Sequence, residues 1–306
     1  MTDQLIDIAT HDADAEPAAP TGSPTAHAPR SDPATTAPST WRVAVRNVRS
    51  TVVTFVATGV LLLVLWVVFL RVVNVGSYVG KGPGDVWGYL FGDERSAERR
   101  SEIWDNTYVT MKQAFVGYVV GTAVAIGVAM MFVLSRAIEQ ALMPIALALR
   151  SVPIVAMIPF LAYVFGRDTR GSIVIVSIIV WFPTLVFMTF GLRSLTPQQH
   201  DLLRVLDASK WQYFVKARFP SALPSFFAAA KVTAPLAILG ALINGWLSTG
   251  DGLGDFMLRS TTSSNYNGLW SAVVVVTVLS IVLVALVNTA EAFVVGRFGD
   301  GGTRRT

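Results

Sequence analysis

Few side chains in this sequence are equipped for covalent chemistry. There is no Cys, which excludes thiolate nucleophiles, disulfides and thiolate metal sites. Of the three His, His11 and His27 lie near the start and His200 lies in a charged stretch, so no metal or proton-relay site is expected within the apolar segments. Asp251 and Asp255 are close, but the interleaved Gly252 and Gly254 read as a turn, not as a facing acid pair. No GxxxxGK[ST] phosphate loop occurs, so the chain is not expected to hydrolyse ATP or to bind a cofactor itself. A membrane enzyme would need facing acids, a nucleophile or metal ligands, and those parts are missing.

The charges that intrude on apolar runs are Arg150, Lys231 and Glu291. Arg150 interrupts one run near its end, Lys231 lies in the approach to another, and Glu291 lies near the end of the last. None stands at a clear midplane position. A proton-driven transporter generally needs an acid or His inside its bundle. The energy for any transport is therefore expected from a partner.

The elements that must hold these residues are membrane helices. The chain is 53% hydrophobic and 14% charged, with a mean hydropathy of +0.54, against about 25% charged in a soluble domain. Such a chain cannot cover itself with polar surface, and lipid is its expected solvent. The formal charge of +4 is not gathered into a stripe, which argues against nucleic acid as a partner. Runs long enough to span occur at Thr51–Val73, Gln113–Leu134, Leu142–Phe165, Ser172–Leu192, Phe226–Leu247 and Trp270–Val295. Basic residues cluster before the first run and after the second, fourth and sixth. The positive-inside bias then places both termini in the cytoplasm of a multi-pass plasma-membrane protein. Residues 1–40, rich in Ala, Pro, Thr and Asp, read as a disordered cytoplasmic tail and not as a signal peptide. Residues 41–298 form the transmembrane domain and 299–306 a short tail. The loop Asn74–Asn106 falls on the outer side, and its stretch "GPGDVWGYLFGDE" reads as holding a short surface helix, with Trp87, Tyr89 and Trp104 at the membrane interface.

Gly117 and Gly121 are four apart, a spacing that lets helix backbones approach closely. Pro144, Pro153 and Pro159 should break the third span, and broken helices at membrane depth often border a substrate path. Pro183 and Pro235 should add kinks to the fourth and fifth spans. Polar, aromatic or proline residues in these aliphatic spans are candidate path linings: Ser151, Pro153, Met157, Pro159 and Tyr163 on the third, and Thr233, Asn244 and Trp246 on the fifth. Packing against neighbouring helices is the competing reading.

The loop at 196–224 carries the stretch "HDLLRVLDASKWQYFVKARFPSALP". Leu202, Leu203 and Leu206, then Trp211, Phe214 and Val215, fall at helical spacing and build an apolar face. Asp201, Arg204, Lys210 and Lys216 take other positions. Asp207 should make the tight turn and cap the second helix, and Pro220 and Pro224 should stop that helix before the fifth span. Two short amphipathic helices result, lying either on lipid or in a groove on a soluble partner.

This loop resembles the coupling loop of binding-protein-dependent ABC importer permeases, whose pattern is E-A-A, three residues, Gly, nine residues, I-x-L-P. Asp201-Leu202-Leu203 stands at E-A-A, Asp207 at the Gly, and "ARFP", Ala217–Pro220, at I-x-L-P. "ALRSVPIVAMIPFLAYVFG", "GPGDVWGYL", "DASKWQYFVKARFPSALPSFFAAAK" and "WLSTGDGLGDFML" resemble, in order, other segments of the nitrate/sulfonate/taurine branch. Gly245 stands where that family often has Glu. The resemblance implies an all-α, six-helix type I importer permease fold. It implies a pore made with a second permease copy or a paralogue, a cytoplasmic ABC ATPase dimer that takes ATP and Mg²⁺, and an external solute-binding protein. The loop residues Asp201, Leu202, Leu203, Arg204, Leu206, Asp207, Ala208, Trp211 and Pro220 would then couple ATPase closure to transport of a small solute. The branch's solutes include nitrate, sulfonates, taurine and vitamin precursors. The alternative is a secondary transporter or channel that works without ATP.

Overall fold

The computed structural model describes residues 57, 59–74, 76–207 and 209–299. The chain divides into two compact units, Met1–Val60 and Leu61–Thr306. Nearly all of the first unit lies outside the described residues, and with it fall the expected tail at 1–40 and the start of the first span. The second unit is described below.

Every element described is helical: α1 (Gly59–Val72), α2 (Pro83–Phe91), α3 (Ser96–Leu134), α4 (Arg136–Ser151), α5 (Ile154–Phe165), α6 (Thr169–Leu192), α7 (Pro197–Val205), α8 (Lys210–Tyr213), α9 (Phe219–Asn244), α10 (Gly252–Thr262) and α11 (Tyr266–Gly299). Among the described residues, four helical stretches are long and apolar enough to cross a membrane: Ser96–Leu134, Thr169–Leu192, Trp211–Thr249 and Tyr266–Val295. The pair α4 and α5 makes a fifth if counted as one broken span. The described part of the first expected span, α1, is apolar but short.

α3 has 39 residues and is about 58 Å long, roughly twice the hydrocarbon thickness. Its first turns are charged and lie beyond the apolar part, where α2 packs on them. The Arg99 guanidinium bonds the Tyr89 carbonyl at 3.2 Å and the Asp93 carboxylate at 3.1 Å. α2 occupies the place expected for a short surface helix. Trp87 and Trp104 are exposed, whereas Tyr89 accepts a bond from Asn265 at 3.1 Å.

The core is built by α3, α6 and α9. Small residues permit the close approach. A Cβ on Gly117 would lie 2.5 Å from Val176 Cβ, and one on Gly121 would lie 2.6 Å from the Ser177 carbonyl oxygen. Ala125, Ala129 and Phe132 of α3 then pack on Leu185, Met188 and Leu192 of α6, and Ala237, Ile238 and Ala241 of α9 close on Val176 and Val180. Complete burial of an aliphatic side chain against other protein excludes lipid from these seams and fixes the three helices as one unit.

The prolines do not all act as their positions suggest. The chain bends by 101° between α4 and α5. Pro153 sets this break, because it holds the preceding Val152 in an extended conformation, φ −80° and ψ 126°. Pro144 and Pro159 lie inside α4 and α5, and Pro183 and Pro235 lie inside uninterrupted α6 and α9. Pro220 and Pro224 do not stop a helix either. α8 runs through a π-helical turn, Phe214–Arg218, directly into α9. In that turn the Phe219 N–H bonds the Phe214 carbonyl, five residues back. The widened turn lets the helix pass the donorless Pro220.

The segment after α9 is held by side chains of α3. The Leu253 N–H donates to Thr110 Oγ1 at 2.8 Å, and Gln113 Nε2 donates to the Asp251 carboxylate at 3.1 and 3.2 Å. Gly252 has φ +71°, and a Cβ there would lie 2.6 Å from Thr110 Oγ1, so the position needs glycine on two counts. Asp255 bonds Arg259 at 2.6 Å. Asp251 and Asp255 thus have separate partners and no shared site.

Candidate functional site

The connection from α6 to α9 is ordered by two reciprocal capping boxes. The Gln199 N–H donates to Thr196 Oγ1 at 3.3 Å, and the Thr196 N–H donates to Gln199 Oε1 at 3.1 Å. Ser209 and Gln212 repeat the arrangement at 3.3 and 3.1 Å. Each box satisfies otherwise unpaired donors at a helix start. The second helix is therefore capped by Ser209 and not by Asp207, because Asp207 is occupied with the turn itself. Its φ is +47°, in the left-handed region, and its N–H bonds the Arg204 carbonyl at 3.1 Å. Glycine enters that region without strain, and Asp is among the residues that tolerate it. The two sequence pieces, Thr-Pro-Gln-Gln and Ser-Lys-Trp-Gln, carried the signal for both caps.

The resulting helix–turn–helix presents apolar side chains outward. Val205 is 83% exposed, Leu206 66% and Trp211 73%. Trp211 stacks on Phe214 at 6.3 Å. Asp201, Arg204 and Asp207 are also exposed, and Leu203 and Pro220 are half-buried. Leu203 and Pro220 border a groove of about 650 Å³ with Gln199, Lys216, Leu223 and Val295. Leu202 lies in α7, but its side chain is outside the description, as is Ala208 altogether.

The base of this hairpin is tied to the core. Arg193 forms a two-pronged ion pair with Glu139 at the start of α4, at 2.9 and 2.6 Å. Arg218 lies over the Tyr213 ring and donates to the Val133 carbonyl at 3.4 Å. Ser194 Oγ lies 2.8 Å from the Gly191 carbonyl and 3.3 Å from that of Ser221. Bidentate Arg–carboxylate geometry fixes direction as well as distance. The base of the hairpin is thus bonded to α3, α4, α6 and α9. These ties were not legible in the sequence, since Arg193 and Glu139 are 54 positions apart and Arg218 and Val133 are 85 apart.

The other candidate residues separate into three environments. Pro153 and Met157 line a cavity of about 780 Å³ where the α4–α5 bend faces α3 and α6. Thr233 and Asn244 are buried in the helical core. Thr233 donates to the Ala229 carbonyl at 2.8 Å, and Asn244 Nδ2 donates to Ser172 Oγ. Ser151, Pro159, Tyr163 and Trp246 are exposed, with Tyr163 at 89%. Lys231 and Glu291, half-buried, pair with each other between α9 and α11. The intruding charges on those helices are thereby matched within the fold.

Residues 117–299 match the family described as the binding-protein-dependent transport system inner membrane component. The chain belongs to that family. The matched region begins midway along α3 and contains the hairpin, the cavity, all of α6 and α9 and the second half of α3. A probable ABC transporter permease protein of Haemophilus influenzae is 26% identical over 223 residues, 72% of this chain and 88% of the relative. The formylaminopyrimidine transport permease ThiX of Halalkalibacterium halodurans is 27% identical over 176 residues, 58% of this chain and 70% of the relative. The nitrate import permease NrtB of Leptolyngbya laminosa is 26% identical over 186 residues, 61% of this chain and 67% of the relative. A chain of the inward-facing MetNI methionine ABC transporter superposes with a TM-score of 0.55 at 18% identity, covering 66% of this chain and 99% of that one. This inner membrane component therefore shares the fold of a chain of the MetNI methionine ABC transporter. Its Gly245, where the family often has Glu, has a local cause: a Cβ there would lie 2.6 Å from the Asp251 carbonyl oxygen. The approach of α10 to the end of α9 leaves no room for a side chain.

Proposed function

We propose that this chain is the permease subunit of an ATP-driven, binding-protein-dependent importer of a small solute. A cytoplasmic ABC ATPase dimer would take ATP and Mg²⁺, an external binding protein would deliver the solute, and a second permease copy or a paralogue would complete the pore. Both termini would be cytoplasmic, which puts the Arg193–Pro220 hairpin on the ATPase side. One observation carries the reading: the hairpin exposes Leu206 and Trp211, and its base is bonded to the core. Large exposed apolar and aromatic side chains are what a partner's groove buries at the centre of an interface. Closure of the ATPase pair would move this element, and the Arg193–Glu139 and Arg218 ties would carry the motion into the bundle as a rigid-body rotation. The relatives' names span nitrate and formylaminopyrimidine, which supports a small solute for this chain.

The test is affinity purification of the tagged full-length chain from native membranes in detergent, with mass spectrometry of the copurifying proteins. An ABC ATPase subunit and an external binding protein are expected. A preparation that carries no ATPase, yet moves solute in liposomes without ATP, would replace this reading with that of an autonomous transporter or channel.

A further inference from the structure

α3 begins well outside the hydrocarbon, at the end of the bundle opposite the hairpin, whose Arg218 bonds Val133 near the other end of this helix. The apolar run on α3 opens at Gln113, just after the exposed Lys112. At a rise of about 1.5 Å per residue, Trp104 stands about 13 Å and Glu98 about 22 Å before Gln113 along the helix. The headgroup layer on each side of a bilayer is about 5–7 Å thick. The first turns of α3 are therefore in water, and Trp104 lies beyond the membrane interface expected for it from sequence. Large aromatic side chains are exposed there all the same. Trp104 is 68% exposed and Trp87, on α2, is 67% exposed. The Trp87 and Phe91 ring centres lie 4.6 Å apart. The Arg100 guanidinium lies 5.3 Å from the centre of the Phe91 ring and donates to the Leu90 carbonyl at 2.6 Å. Trp104 follows Arg100 by one helical turn, and the exposed Tyr108 follows by one more. The aromatic patch is thus continuous from α2 onto α3. Lipid does not explain aromatics in water, and a patch of this kind marks an interaction surface.

An acidic stripe runs beside the patch. Glu98, Glu102 and Asp105 fall at i, i+4 and i+7 of α3, so they share one face, and all three are exposed. Arg99 is taken by Asp93 and Arg100 by the Leu90 carbonyl. Among the described residues no cation pairs with the three carboxylates. Like charges at this spacing repel and weaken the helix that carries them, so basic groups from outside would relieve the stripe. This charge selects the occupant. A phospholipid surface is itself negative, and the stripe repels it. A second copy of the chain, related by a two-fold axis through this surface, would bring the same acids face to face. A soluble protein with Lys or Arg around an apolar pocket fits both features: the pocket buries Trp104 and Trp87, and the basic rim meets Glu98, Glu102 and Asp105. On the permease reading above, on which this inference rests, this end of the bundle faces outward. We propose that the protruding turns of α3, together with α2, are the docking surface for the importer's solute-binding protein. The matching face of that protein is basic around an apolar pocket.

The test is site-directed photocrosslinking of the full-length chain in native membranes. The sequence has no Cys, so Ser101→Cys, at an exposed position between the two stripes, takes a single benzophenone-maleimide label. The expected main product is a crosslink to the solute-binding protein, mapped by mass spectrometry to a segment that carries Lys or Arg. Added to the labelled chain, Trp104→Ala should cut the yield about tenfold, as loss of a central aromatic anchor does. The triple change Glu98→Gln, Glu102→Gln and Asp105→Asn should cut it by about as much, and should remove the loss of yield that added salt causes in the parent. Phe115→Ala, exposed in the apolar part of the same helix, should leave the yield unchanged. All variants should copurify the same ATPase as the wild type, which separates lost docking from lost folding. Unchanged yield in both Trp104→Ala and the acid triple would overturn the assignment. A main product with lipid or with a second copy of this chain would overturn it as well. So would a complex that carries the ATPase yet gives no crosslink to a binding protein. Failure of the permease reading shows separately, as absence of an ATPase from the wild-type preparation whatever the crosslinking reports.

Discussion

At the scale of single residues, two positions show how backbone geometry fixes identity. Asp207 stands where the resembled coupling-loop pattern has glycine, and its φ of +47° supplies the reason. Asp207→Gly should therefore be tolerated, with partner binding unchanged and hairpin stability equal or better. A β-branched replacement such as Asp207→Val should loosen the hairpin by about 1–2 kcal/mol, because the left-handed region is a genuine outlier for such residues. Limited proteolysis of the Arg193–Pro220 segment in detergent reads the difference directly. Gly245 has helical φ and needs no special freedom. Its constraint is the Asp251 carbonyl, so even Gly245→Ala should overpack the contact, at a cost of about 1–3 kcal/mol. The melting temperature of the purified protein should fall, and Gly245→Glu should lower it further. An unchanged melting temperature for Gly245→Ala would mean that α10 is free to shift away.

At the scale of elements, the two helices of the hairpin each carry their own start signal. The capping boxes at Thr196–Gln199 and Ser209–Gln212 each offset part of the cost of starting a short helix. Thr196→Ala and Ser209→Ala should each destabilise the local helix by about 1 kcal/mol, seen as faster amide exchange confined to α7 or to α8. The hairpin's connection to the core is a distinct matter. Breaking one partner of the Arg193–Glu139 pair should reduce transport more than it reduces partner binding, because the lever survives while its fulcrum is lost. Exchange of the two charges, Arg193→Glu with Glu139→Arg, should restore part of the loss, which a double-mutant comparison would separate from simple destabilisation.

At the scale of the whole molecule, docking at the exposed apolar face would be felt through the α3–α6–α9 core. Leu206→Glu and Trp211→Glu should leave membrane insertion and melting temperature unchanged, since both side chains are largely exposed. They should uncouple ATP hydrolysis from uptake at least tenfold in the reconstituted importer. Normal coupling in both variants would exclude this face as the docking surface. Large apolar side chains are also exposed along α5 and α11, Tyr163 and Phe293 among them. For spans in lipid this is ordinary, as hydrocarbon is as good a solvent for them as protein.

The sequence by itself determined that the protein is helical and membrane-embedded, where most of its apolar runs lie, and that the hairpin between α6 and α9 is amphipathic. Composition and period suffice for those conclusions, because they follow from the cost of exposing backbone and apolar side chains in the wrong solvent. Both capping boxes left a local signal, since a cap is a contact between residues three apart, but the reading of Asp207 as the cap passed over it. Only the tertiary structure decided which prolines break a helix. That outcome depends on whether a neighbouring turn can widen, as Phe214–Arg218 does ahead of Pro220, or a preceding residue can extend, as Val152 does ahead of Pro153. It also decided which polar residues meet the cavity, which are consumed inside the core and which charges find partners. Asn244 and Met157 stand alike in the sequence as unusual residues of apolar spans, yet the first is bonded to Ser172 and the second borders the chamber. The direction a side chain faces is set by helix rotation and by contacts distant along the chain, and no local pattern records either.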